Sequence, residues 1–291
     1  MIEVEHLTKR FRKTVAVDDL SFKVREGTIT GFLGPNGAGK TTTLRIILGL
    51  VRATAGTATV MGRSYRALDD PTRRVGAVLE AANFHPGRSG RNHLRVLATA
   101  TGIPHSRVEE VLKLVDLSDA AGRRAGGYSL GMRQRLSLAG ALLGDPQVLI
   151  LDEPANGLDP QGIRWLRELL RSLVSEGRTI FLSSHVLGEI EQIADEVVII
   201  HRGKFVEHAS TAELAARSAG GIRVRSPQVD RLRAVLEEAG VKVGSVEGDL
   251  LVAADTTTAQ VGELAAANGI VLHELVAEVS TLEEAFLELT T

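Results

Sequence analysis

Gly34-Pro35-Asn36-Gly37-Ala38-Gly39-Lys40-Thr41 is the stretch on which the fold of this chain turns. It fits the phosphate-loop pattern G-x-x-x-x-G-K-[ST] at every fixed position. The glycines let backbone N–H groups turn inward around phosphate oxygens, and a helix opening there offers its positive end. Lys40 brings a point charge to the β- and γ-phosphates, and the hydroxyl of Thr41 suits Mg2+. The flanks are those the motif requires. Thr28–Leu33 reads as a buried strand running into the loop, and Thr42–Gly49 has apolar residues at helical spacing up to a closing glycine.

Working outward, Val148-Leu149-Ile150-Leu151-Asp152-Glu153 supplies the complement. The apolar run predicts a strand buried on both faces. Its two carboxylates fall at the C-terminal end, where open α/β sheets bind ligands. There Asp152 would hold Mg2+ through a water, and Glu153 would polarise an attacking water as general base.

The remaining pattern predicts a mostly parallel α/β sheet. Ile2–Val4, Ala16-Val17 and Leu20-Phe22-Val24 read as N-terminal strands, and 86–144 as helices. Apolar strands return at Val148–Leu151, Ile180–Leu182 and Val197–Ile200. Between the first two, Leu166, Leu169, Leu170, Leu173 and Val174 form one helix face that stops at Gly177. Small residues at 209–221 mark a break, with a linker at 211–221. Residues 222–291 then read as strand, helix, strand, strand, helix, strand, a ferredoxin-like α+β order, closed by a helix at Leu282–Leu289.

Composition narrows the function classes. At 291 residues the chain has room for two domains, since about 150 residues per domain is usual. A net charge of −2 without a basic stripe gives no footprint for nucleic acid. The absence of cysteine removes disulfides and thiolate chemistry. No apolar run approaches the ~20 residues of a membrane-spanning helix, and the N-terminus carries acids where a signal peptide would carry a basic patch.

Tyr128-Ser129-Leu130-Gly131-Met132-Arg133-Gln134-Arg135, just ahead of an apolar helix, resembles the signature motif of ATP-binding cassette (ABC) ATPases, most often Leu-Ser-Gly-Gly-Gln. Tyr128, Leu130 and Met132 depart from it. Ser129 and Gly131, the two positions that meet γ-phosphate in the family, are retained. Ala155-Asn156-Gly157-Leu158-Asp159-Pro160 resembles the D-loop, and Leu182-Ser183-Ser184-His185 the segment of the switch histidine. Phe11, ahead of Val15-Ala16-Val17, looks like the aromatic that stacks on adenine; on its own such a residue is more often core. The resemblance covers residues 1 to about 210. At the end of Val75–Leu79, where the family usually has a glutamine lever touching Mg2+, this chain has Glu80. In this it is similar to bacterial ABC-2-type exporters of the bacitracin and daunorubicin kinds.

The resemblance implies an α/β fold: a P-loop NTPase cassette at 1–210, with a RecA-like core, an N-terminal antiparallel β subdomain and a helical subdomain at about 88–144, and the small α+β domain after it. It implies ATP and Mg2+ as cofactors. Phe11, Gly34, Pro35, Asn36, Gly37, Ala38, Gly39, Lys40, Thr41, Thr42, Ser129, Gly131 and Asp159 would bind ATP. Thr41, Asp152 and Glu80 would bind the metal, and Glu153 and His185 would catalyse. Two chains would close head to tail over ATP and drive a separate transmembrane permease, placing the chain in the cytoplasm on the inner face of the membrane. The permease would meet 80–91, with Phe84 either its anchor or tucked under its own helices. Three matters stay open at this level: a cassette ATPase acting on nucleic acid or protein without a permease, Glu80 as a rival base, and a regulatory or dimer-stabilising role for 222–291.

Overall fold

The computed structural model describes residues 1–79, 84–217 and 219–279. The chain opens with β1 (Ile2–Phe11), β2 (Thr14–Val24), β3 (Ile29–Leu33) and α1 (Lys40–Ile47), then β4 (Ala55–Val60), a short α2 (Pro71–Arg74) and β5 (Val75–Val78). Helices α3 (Gly90–Ala100), α4 (Ser106–Leu114) and α5 (Leu130–Leu142) follow. Alternation resumes with β6 (Val148–Leu151), α6 (Pro160–Ser175), β7 (Thr179–Ser184), α7 (Leu187–Ile193), β8 (Glu196–His201) and β9 (Lys204–Ser210). The last part holds α8 (Thr211–Arg217), β10 (Ala219–Arg225), α9 (Val229–Glu238), β11 (Lys242–Glu247), β12 (Leu250–Ala254), α10 (Thr258–Ala267) and β13 (Glu274–Val279). Contacts divide the chain into a unit Met1–Thr211 and a second that begins at Ala212.

In the first unit a six-stranded sheet runs in the order β5-β6-β7-β3-β8-β9, parallel except for β9. Every residue of β3, β6 and β7 is buried, which is why these strands read as unbroken apolar runs rather than alternating ones. Parallel strands put all their C-terminal ends on one edge. The segments after β3, β6 and β7, three adjacent strands, therefore emerge side by side, and those segments carry the phosphate loop, the acidic pair and His185. A second sheet, β2-β1-β4, is antiparallel and packs on the first. Phe22 of β2 meets Phe32 and Phe181 with ring centroids 5.2–5.5 Å apart. Full burial of an aromatic of this kind contributes about 1.5–3 kcal/mol.

Helices α3, α4 and α5 pack together through Leu94, Ala98, Val108, Val111, Leu112 and Leu136. Helix α5 is capped by Ser129, whose Oγ accepts from the Met132 N–H at 3.3 Å. Helix α6 is capped by Asp159, whose Oδ1 accepts from the Gly162 N–H at 2.8 Å, with Pro160 at its first position.

The second unit has an antiparallel sheet in the order β11-β12-β10-β13. With one helix after β10 and one after β12, this is the split β-α-β topology. Its core is built from Ile222, Val224, Leu232, Leu236, Leu251 and Val261. Within the stretch 211–221, expected to be a linker, the described residues Thr211–Arg217 form α8 and Ala219 already opens β10. Thr211 anchors it by donating its hydroxyl to the carbonyls of Ala194 and Asp195 at 3.3 Å. The alanines among the small residues that mark the break are the strongest helix formers. The predicted helix at Leu282–Leu289 lies outside the described residues.

Candidate active site

The phosphate loop bends where only glycine fits. A Cβ on Gly34 would lie 2.5 Å from the Ile200 carbonyl oxygen of β8. On Gly39, at φ +105°, it would lie 2.4 Å from the Ala16 carbonyl oxygen of β2. Strands on both sides thus brace the loop, and Gly203 adds a brace through its N–H to the Ala38 carbonyl at 3.0 Å. The cavity so formed, about 230 Å3, is lined by Ala16, Pro35, Asn36, Gly37, Gly39, Lys40, Thr41, Thr42 and Glu153.

Lys40 is buried on this wall. Its ammonium donates to the Gly34 carbonyl at 2.6 Å and lies 3.3 Å from Glu153 Oε1. The other carboxylate oxygen, Oε2, lies 2.8 Å from His185 Nδ1 and accepts from the His185 N–H at 3.3 Å. Glu153 is therefore held from two strands, by the phosphate lysine and by the histidine that follows β7. Its backbone is left-handed at φ +49°, a conformation that costs a non-glycine residue about 1–3 kcal/mol and persists where surrounding contacts fix it.

One of those contacts was not foreseen. Ser183, fully buried in β7, accepts from the Glu153 N–H at 2.9 Å and donates to Asp152 Oδ1 at 2.5 Å. It orients both acids at once. A serine directly after the apolar run Ile180–Leu182, level with two carboxylates just past the adjacent strand, is the signal that points to it.

Ser129, Gly131 and Asp159 are not brought to this cavity. They line a separate concavity of about 610 Å3 with Leu130, Gly157, Leu158 and Arg123. The signature-like and D-loop-like segments share one surface, while the phosphate loop lies on another. Tyr128 is buried behind that surface, its hydroxyl donating to the Ala120 carbonyl at 2.7 Å. Burial raises its phenol above the ordinary value. Phe11 ends β1 and is half exposed rather than core, with the Lys9 ammonium 4.6 Å from its ring centre. Glu80 lies outside the described residues. Phe84, four positions on, is partly buried edge-on against His93 of α3, ring centres 5.5 Å apart, so its ring is engaged with its own helical subdomain. Among the described residues, no helix is long and apolar enough to cross a membrane.

The parallel sheet, phosphate loop and acidic strand end define a P-loop nucleotide-binding protein. Residues 17–156 match the family model described as ABC transporter, and 220–283 match a domain of unknown function, DUF8746. The chain is 43% identical to the bacitracin transport ATP-binding protein BcrA of Bacillus licheniformis, over 75% of this chain and 72% of that one. It is 37% identical to the ABC transporter ATP-binding protein YhcH of Bacillus subtilis, over 100% and 96% of the two. It is 36% identical to the Nod factor export ATP-binding protein I of Ralstonia nicotianae, over 92% and 79%. Among solved structures, the ATP-binding subunit of an ABC transporter superposes with a TM-score of 0.67 at 27% identity, covering 75% of this chain and 92% of the other. The dimeric cassette MJ0796 shares the fold, with a TM-score of 0.66 at 23% identity over 72% and 99%. The chain belongs to the ATP-binding subunits of ABC transporters, and its activity is ATP hydrolysis coupled to transport.

Proposed function

We propose that this chain powers export through a separate permease of the ABC-2 type, and that each ATP is hydrolysed between two copies of it. The observation that carries the second part is the division of the motifs. Lys40, Glu153 and His185 converge on one cavity, while Ser129, Gly131 and Asp159 face solvent on another. A second chain docked head to tail would present its signature surface to the first chain's phosphate loop.

Within that sandwich, backbone N–H groups of Asn36, Gly37 and Gly39 and the Lys40 ammonium hold the β- and γ-phosphates. A phosphate seated there draws the ammonium from Glu153, leaving the carboxylate to the water. Glu153 accepts a proton from that water as its oxygen bonds to the γ-phosphorus. The bond to the β–γ bridging oxygen breaks, giving ADP and phosphate. His185, hydrogen-bonded to Glu153, keeps the carboxylate aimed. Phe11 offers an open ring face to adenine. Thr41 and Asp152 form the donor set for Mg2+: one hydroxyl and one carboxylate, completed by substrate oxygens and water, as this cation prefers. Among the described residues no three His, Cys, Asp or Glu gather into a metal cage of their own. When bound, Mg2+ neutralises charge on the phosphates.

The permease contact expected at 80–91 falls partly outside the described residues; among those described, a groove of about 470 Å3 lined by Leu48, Leu50, Tyr65, Val78 and Leu79, where Leu50 is 63% exposed, supports an added apolar contact. Through that partner the chain would work on the inner face of the membrane. The export direction is supported by the Nod factor export relative and by similarity to the bacitracin transport protein. Coexpression with a candidate permease, a separate hydrophobic protein of about six membrane spans, tests the reading. Efflux of a peptide antibiotic should depend on Glu153 and stop in Glu153→Gln. Undiminished efflux in that variant would contradict it.

A further inference from the structure

Leu130 stands at the first turn of α5, between the two residues expected to meet the partner's nucleotide, and half of it is exposed. It is not a spare side chain in solvent. A Cβ built on Gly157 would lie 2.1 Å from Leu130 Cδ2 and 3.2 Å from its Cγ. The leucine therefore rests on the bare face of that glycine, which is left-handed at φ +74°. Next to it, a Cβ on Gly131 would lie 3.6 Å from Leu158 Cδ2. Further along the same pair of helices, the Arg135 guanidinium of α5 stacks on the Trp165 ring of α6 at 4.1 Å. Arg135 is itself fixed by Asp116 Oδ2 at 2.7 Å.

The loop that Leu130 touches is short and internally hydrogen-bonded. It begins at Glu153, whose carbonyl accepts from the Asn156 N–H at 3.1 Å; the Ala155 carbonyl accepts from Leu158 N–H at 3.1 Å, and the loop ends in the Asp159 cap of α6. A push at Gly157 has few soft torsions in which to dissipate before it reaches Glu153. Packed contacts with one preferred arrangement transmit displacement in this way.

We infer that Leu130 is a positioning residue: it ties the signature surface to the loop carrying Glu153, so that engagement of the partner's nucleotide at Ser129–Gly131 is registered at the chain's own catalytic carboxylate. The inference rests on the two-chain reading above. Leu130 does not touch the nucleotide held by its own phosphate loop, so its removal should leave single-chain ATP binding alone. What should change is the turnover rate and its cooperativity.

The test compares Leu130→Gly, Leu130→Met and the pair Leu130→Gly/Gly157→Ala in the full chain. In Leu130→Gly, ATP affinity measured with dimer-free chain should match wild type. Its kcat should fall by about ten- to a hundredfold, the range that misplacing a reacting group by about 1 Å brings, with a Hill coefficient moving toward one. Leu130→Met, which can refill the same space, should restore both. Gly157→Ala alone clashes with Leu130, and adding Leu130→Gly should recover part of its loss. Thermal unfolding and emission from Trp165, the single tryptophan, check folding. If Leu130→Gly unfolds, Leu130→Ala alone and combined with Gly157→Ala carries the test, and independent, additive losses there would overturn the inference. Wild-type kcat and cooperativity in a folded Leu130→Gly would also overturn it. If wild-type chain itself shows neither cooperativity nor ATP-dependent dimers, the two-chain reading fails instead.

Discussion

The two motif-bearing surfaces of the cassette are built in opposite ways. Around the phosphate loop, charges are already paired: buried Lys40 with the Gly34 carbonyl and the half-buried Glu153, Glu153 with His185, Asp152 with Ser183. Around α5, the retained residues are helix caps and small side chains at an open surface. The first surface binds and reacts because its groups are held in place before ATP arrives, which is where electrostatic stabilisation gains most. The second has little to hold by itself, since Ser129 already spends its oxygen on the Met132 N–H. It makes sense as one wall of a site whose other wall is on another molecule.

Substitutions that separate the two surfaces sharpen this contrast. Lys40→Ala should give the largest effect: with the cradle's charge gone, the β- and γ-phosphates are uncompensated, and ATP binding measured by calorimetry should vanish. Near-wild-type affinity would remove Lys40 from the phosphate site. Glu153→Gln should retain ATP but lose general-base catalysis, a cost of about 10²–10⁴ in single-turnover rate. Glu80→Gln, measured alongside, should lose little. The reverse pattern would make Glu80 the base.

Ser183→Ala comes next, because its hydroxyl supports both acids. Hydrogen bonds to charged groups contribute about 1.5–3 kcal/mol, so kcat should drop by roughly one to two orders of magnitude while ATP affinity holds. Unchanged kcat would show that Asp152 and Glu153 keep their positions without it. The smallest effect belongs to Phe11→Ala, which should weaken nucleotide binding by about 1–3 kcal/mol, the range for stacking a base on an aromatic. An unaltered dissociation constant would leave Phe11 without a part in adenine binding.

What the sequence disclosed and what it hid follow from range of interaction. The phosphate loop and the acidic end of β6 are local: their chemistry sits in a few consecutive residues and is legible, whereas the capping roles of Ser129 and Asp159 emerge only in the structure. β3, β6, β7 and β8 are buried on both faces, so apolar runs betray them. β4 and β9 are not legible because they are flanking strands with a single buried residue each, held by pairing with β1 and β8 rather than by an apolar pattern. β1 continues past Val4 to Phe11 only through register shifts that break its alternation. Ser183 against the acids and Leu130 on Gly157 join residues about 30 apart in the chain, and no periodicity encodes such a meeting.

The central claim, that one hydrolytic site is assembled from two chains, is tested most directly by mixing two inactive ones. Lys40→Ala removes the phosphate loop's function and keeps the signature surface. Ser129→Arg blocks the signature surface and keeps the phosphate loop, and losing its cap should cost only about 1 kcal/mol in stability. Each variant alone should be inactive. Mixed with ATP, the intact phosphate loop of one should meet the intact signature surface of the other, and hydrolysis should return in proportion to the mixed pair. If the mixture stays inactive, or if Ser129→Arg alone turns over ATP like wild type, the site does not need a second chain.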